Sequence, residues 1–214
     1  MEIMKVTKIL IIFTFLLSLV FVETSQAQNN PYPNELKNYE FSGKGKFRGL
    51  KPGVSTKEDV KKIFGETCEN KCDYDADWTV NFDYYENNWI KNDTDEKGQK
   101  LVYLLDSKYL GNLRKIEILP KKQISFVNVS FPKTFQKLSR SLITDDTRTG
   151  KGRMMTYDLY RDSHGLTYEL FETTDYDSIM AKNEKSYKKG DLFSIQYGIS
   201  KEQEKVMFIL QKNK

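Results

Sequence analysis

The sequence predicts an α+β fold built from two helix-on-antiparallel-sheet units in tandem. Three observations carry that expectation: a short helix with both ends specified near residue 60, a series of alternating strand segments after it, and a similarity between the two halves of the chain.

In chain order, Lys5 and Lys8 precede the apolar run from Ile9 to Val22, and Ser25 and Ala27 follow as small residues in an A-x-A-like arrangement. That pattern predicts a secretory signal peptide over residues 1–27, cleaved after Ala27, because the apolar run is shorter than the roughly 20 residues that span a bilayer. Residues 28–46 are polar, contain two prolines and lack periodicity, and are read as a flexible N-terminal arm. The two units are then assigned to 47–128 and 129–214.

The first unit opens on "GLKPGVSTKEDVKKIFG". Ser55 fits a helix N-cap, Glu58 three residues on completes a capping box, and Asp59 adds negative charge near the positive end of the helix. Val60, Ile63 and Phe64 form one narrow apolar face, and Gly65 supplies the C-terminal stop. So short a helix does not persist alone in water and must lie on a sheet. Cys68 and Cys72, four residues apart just beyond it, read as a local disulfide in an oxidising compartment. Strands follow at "TVNFDYY", with Val80, Phe82 and Tyr84 on the core face, at "KLVYLLD", and at "RKIEIL" through Ile116 and Ile118; residues 86–99 read as a polar loop around Trp89. "ISFVNVSF" from Ile124 to Phe131 reads as a further strand.

In the second unit Phe131, Phe135, Leu138 and Leu142 recur at helical spacing, with Pro132 tolerated in the first turn. "MMTYDLYRDSHGLTYELFE" reads as a hairpin, and "DLFSIQYGI" and "KVMFILQ" as two more strands. Each half thus runs helix, Tyr-Asp, alternating strand and Leu-x-x-Ile, which is the case for a tandem repeat.

The opening stretch resembles the first helix of the SmpA/OmlA group of small bacterial envelope proteins, with Leu50, Gly53, Ser55, Val60 and Gly65 at the matching positions. The resemblance covers residues 49–65 and implies a fold like that of the β-lactamase inhibitor proteins, a helical segment on an antiparallel sheet. The chain departs from the group in lacking a cysteine near the cleavage point for a lipid anchor, and in carrying Glu66 where a proline commonly follows the glycine.

Chemistry is sparse. The single histidine, His164, falls in a hairpin turn, which leaves no base for a hydrolase triad. "CDYDADW" begins like a calcium loop through Asp73, Asp75 and Asp77 but places Trp78 where glycine is required, and "NDTDEKG" fails the same pattern at Lys97. Two cysteines and one histidine do not make a zinc site. No metal or cofactor is expected. A net charge of +4 with interspersed signs argues against nucleic acid.

What stands out is the aromatic content of thirteen Tyr, thirteen Phe and two Trp, with Tyr85, Trp89, Tyr160 and Phe171 on polar strand faces or in loops. The expected function is a secreted or periplasmic, non-enzymatic domain binding a protein or envelope partner. Tyr85 and Trp89 serve as anchors beside Asp83, Lys115 and Glu117 on the sheet face away from the helix. The alternatives are an enzyme using acids such as Asp75 and Asp83 on that face, and a carrier of a small ligand or lipid.

Overall fold

The structure, a computed structural model, describes residue 36 and residues 45–86, 89–146, 151–174 and 188–211, with the backbone alone at 142–146, 151–155 and 173–174. The expected signal peptide and nearly all of the 28–46 segment lie outside the described residues. The described residues form a mostly antiparallel β fold with two short helices, a mixed α+β class. Ten strands are present in that set: β1 (Lys71–Asp73), β2 (Trp78–Tyr84), β3 (Ile90–Thr94), β4 (Lys100–Leu105), β5 (Leu113–Pro120), β6 (Gln136–Asp146), β7 (Lys151–Arg161), β8 (Leu166–Thr174), β9 (Leu192–Tyr197) and β10 (Phe208–Leu210). Helix α1 spans Lys57–Phe64 and α2 spans Lys201–Met207.

One seven-stranded sheet runs β1-β2-β5-β9-β8-β7-β6, so both halves of the chain share it, joined where β5 pairs with β9. A second sheet, β10-β4-β3, has three strands. Strand pleating sorts side chains of the large sheet into alternating cross-strand rows. One row, Cys72, Val80, Ile118, Ile195, Tyr168 and Tyr160, faces the core. The next is polar on every strand: Lys71, Asn81 and Glu117, then Gln196, Thr167 and Arg161, ending at Gln136. The first face is covered and the second carries the polar chemistry.

Helix α1 covers part of the core face. Val60 is fully buried, Phe64 is half-buried with its ring 5.1 Å from Phe82, and Phe47 packs 5.9 Å from Tyr197. The capping box lies one residue later than the sequence suggests. Thr56 accepts from the Asp59 amide and Asp59 reaches back to the Thr56 amide, while the Ser55 hydroxyl accepts from the Lys51 amide instead. Both registers match the S/T-x-x-acid signature, and the tight turn at Lys51–Ser55 decides between them. Ile63, expected on the buried face, is 43 % exposed. Leu36 is buried in the same core. A disulfide joins Cys68 to Cys72, tying the segment after α1 to the edge strand β1.

The expected second helix is absent from its segment. Phe131 and Phe135 do pack on the core, with Phe131 stacked 4.0 Å from Tyr160, but they flank a turn in which the Phe135 amide donates to the Pro132 carbonyl. From Gln136 onward the chain is strand β6, paired residue by residue with β7, and Leu138 stands 49 % exposed; the side chain of Leu142 lies outside the described residues. Spacing of four, three and four imitated a helix, yet Lys-Leu-Ser-Arg-Ser alternates with period two, and serine is a weak helix former. Residues 131–142 therefore do not supply the second helix-on-sheet unit.

Three other segments differ from expectation. Ile124–Phe131 is irregular chain that buries Ile124 and Phe126. Ile90–Thr94, read as loop, forms β3, closed against β4 by a turn in which the Asp95 carboxylate accepts from the Lys97 and Gln99 amides. "KVMFILQ" divides into the end of α2 and the start of β10, because a capping box between Ser200 and Gln203 starts a helix that the apolar run concealed.

Candidate functional site

The pairing of β2 with β5 contains one irregularity. Asp83 pairs with Lys115 and Tyr84 with Leu113, so Arg114 is an extra residue opposite none. Such a bulge puts two successive side chains on one side of a strand. Here Leu113 and Ile116 are buried while Arg114 and Lys115 between them both reach out of the core. "LRKI" records this in the sequence as two polar residues between apolar ones where strict alternation allows one.

Both cations enter a cleft of about 370 Å³ between the outer face of the large sheet and the assembly of β3, α2 and β10. The large sheet contributes Lys115, Gln196, Thr167 and Arg161, with Gly165 in the turn just before β8. The opposite wall carries Trp89, Lys91, Glu204 and Phe208. Its volume lies within the range of small-ligand sites.

Of the expected binding residues, Tyr85, Trp89 and Lys115 line this cleft. Tyr85 is not an exposed anchor, because Trp89 and Phe208 on the opposite wall cover it. It is 3 % exposed, donates its amide to the Asn112 carbonyl, and lies in edge contact with Trp89 and Phe208 at 6.2 and 6.3 Å. Burial, with Glu204 adding to it, pushes its phenol pKa up to about 12. Trp89 is 36 % exposed at the rim, with the Arg114 guanidinium 4.7 Å from its ring centre. Burial pulls the Arg114 pKa down. Asp83 pairs with Arg114 outside the cleft lining. Glu117 lies next to Lys115, 3.2 Å away, and accepts from the Asn81 amide at 3.2 Å. Of the other aromatics expected on open faces, Phe171 is buried and Tyr160 half-buried.

Sequence reading missed Glu169 on β8. It pairs with Ser194, is 1 % exposed, and lies on the polar face beside Gln196. Ser194 Oγ and Gln196 Nε2 donate to its Oε2 at 2.8 and 2.7 Å, and Arg140 on β6 approaches Oε1 at 3.6 Å. Gln196 Nε2 also lies 3.3 Å from Glu117, so one amide bridges two carboxylates. Burial raises the Glu169 pKa, with Glu117 adding to the rise and Ser194, Arg140 and Lys115 opposing it.

Because the folded carboxyl holds its proton more tightly than the unfolded one, its ionisation opposes folding. That cost grows as pH rises from the unfolded value toward the raised one. Glu169→Gln is therefore expected to be more stable than wild type at neutral pH, with the gap closing below about pH 4, where both states of the wild type are protonated. Urea melts across a pH series measure this. A gap independent of pH, or none, would show that Glu169 is not a destabilised carboxylate.

The remaining acidic candidates make local contacts. Asp75 accepts from the Asp77 and Trp78 amides, and Asp73 pairs with Lys121 at 2.9 Å. Among the described residues no group of three or more His, Cys, Asp or Glu side chains could hold a metal ion, and no helix is long and apolar enough to cross a membrane. His164 is exposed in the β7–β8 turn, its amide donating to Asp162. Compared with protein-family models, curated proteins and solved structures, the chain matches none.

Proposed function

We propose that the chain is an exported, non-enzymatic binding domain and that it recognises a protein partner, in the cell envelope or outside the cell, through the Trp89 cleft and the neighbouring face of the small sheet. The observation that carries this reading is an exposed apolar row beside a basic, aromatic-rimmed cleft. Ile90, Leu104 and Ile209 are cross-strand neighbours, and Ile90 and Ile209 are 48 % and 51 % exposed. Clustered exposed apolar side chains next to Trp and Arg are the composition of interface centres. The leader-like residues 1–27, the Cys68–Cys72 disulfide and the resemblance of residues 49–65 to envelope proteins support the exported setting.

Trp89→Ala and Ile209→Ser are each expected to leave the far-UV circular dichroism unchanged and to reduce recovery of the partner from native extract by about tenfold or more. Equal recovery by wild type and both variants would remove this surface from the function. A carrier of a small ligand is the second reading, favoured by the cleft volume of about 370 Å³.

A further inference from the structure

Four cations line the cleft, and three of them are already balanced. Lys91 pairs with Glu204 at 3.0 Å, Arg114 with Asp83, and Lys115 with Glu117. Arg161 differs. Its Nη2 donates to the Ile199 carbonyl at 3.2 Å, and among the described residues it has no carboxylate partner. A guanidinium held by one carbonyl keeps most of its five donors, in the planar fork that accepts a carboxylate with two hydrogen bonds.

Two strands away along the same polar row lies Gln196, with Thr167 between them. Its Nε2 is 2.7 Å from Glu169, 2.9 Å from Ser194 Oγ and 3.3 Å from Glu117. The reversed amide would press a carbonyl oxygen against two carboxylates, so the orientation is fixed and Oε1 is the atom offered to the cleft. The cleft thus presents a cation that wants an acid, an acceptor that wants an N–H or O–H, and an aromatic rim formed by Trp89 and Phe208. Glu117 and Glu169 just behind Gln196 make the site unfavourable for a doubly charged phosphate.

Resting on the reading of this cleft as the recognition site, we propose that it takes the free C-terminal end of a partner's peptide chain. The terminal carboxylate sits on Arg161, a main-chain N–H donates to Gln196 Oε1, and an apolar last side chain lies against Trp89 and Phe208. A peptide terminus combines a single negative charge, a nearby donor and an apolar group within one residue.

Calorimetric titration of the full chain with Gly-Gly-Phe tests this against three comparison probes: the same peptide as its C-terminal amide, 3-phenylpropanoate, which lacks the N–H, and phenyl phosphate. The free acid is expected to bind at least about tenfold more tightly than each of the three. Arg161→Gln is expected to bind the acid and the amide alike while retaining the wild-type circular dichroism. Equal binding of acid and amide by wild type, tighter binding of phenyl phosphate, or no saturable binding of the free acid would each overturn the proposal. If Trp89→Ala abolishes partner recovery while the acid shows no preference, the recognition site stands and the peptide terminus falls. If recovery is unaffected by Trp89→Ala, the site itself falls.

Discussion

Phe82→Ala is expected to lower stability by about 3–5 kcal/mol, the usual loss for truncating a fully packed aromatic. Phe82 lies in the middle of β2, is 3 % exposed, and meets Phe64 of α1 edge-on at 5.1 Å. It is one of the contacts through which the helix holds the sheet, so its removal opens a cavity shared by both elements. Ile63→Ala, one residue before Phe64 but 43 % exposed, is the matched control and is expected to cost less than about 0.5 kcal/mol. Urea denaturation of the two variants fixes the rotation of α1 on the sheet. Similar losses at both positions would mean that the helix turns a different face inward.

Gly165→Ala is expected to be damaging for a different reason. Gly165 ends the β7–β8 turn at φ +92°, and its carbonyl accepts from the Gly198 amide at 3.0 Å. A methyl group there would lie 2.4 Å from the Gly198 carbonyl oxygen, a backbone atom that cannot swing aside. The strained φ alone costs about 1–2 kcal/mol, and the overlap adds to it, so a loss on the order of 2 kcal/mol or more is expected in thermal or urea unfolding. His164→Ala, in the same turn but exposed, should change stability by no more than about 0.5 kcal/mol. Because Gly165 also lines the cleft, the variant is expected to weaken binding of the proposed free-acid peptide as well. Wild-type stability in Gly165→Ala would show that the two glycines are not in close contact.

Legibility in the sequence followed locality. Helix α1 and strands β2, β5, β8 and β9 could be read because each carries its own period and its own stop signals within a few residues. The failures came where local patterns were ambiguous or silent. Phe131, Phe135 and Leu138 fit a helix by spacing, and only pairing with β7 makes Gln136–Asp146 a strand. Ile90–Thr94 has almost no apolar alternation, and its strand identity is conferred by β4. Tyr85 lies on the expected face but is 3 % exposed, because Trp89 and Phe208, distant along the chain or outside any strand pattern, cover it there.

The cleft is less legible still. Trp89 and Lys115 could be picked out by type, but Arg161, Thr167 and Gln196 come from three strands and mean something only once those strands are neighbours. Glu169 reads as an ordinary strand acid. Its significance comes from being 1 % exposed, which no window of sequence reports.

The small sheet has a temporal implication. Its strand β10 pairs Phe208 with Leu105, Ile209 with Leu104 and Leu210 with Tyr103, so one wall of the cleft is closed by a segment synthesised long after the strands it joins. Pairings so distant along the chain form late, since the entropy of loop closure must be met before the contact rewards it. Strand β9, in the middle of the large sheet, pairs with β5 across a similarly long stretch of chain, so the large sheet and this wall of the cleft are both completed only when the last strands are available.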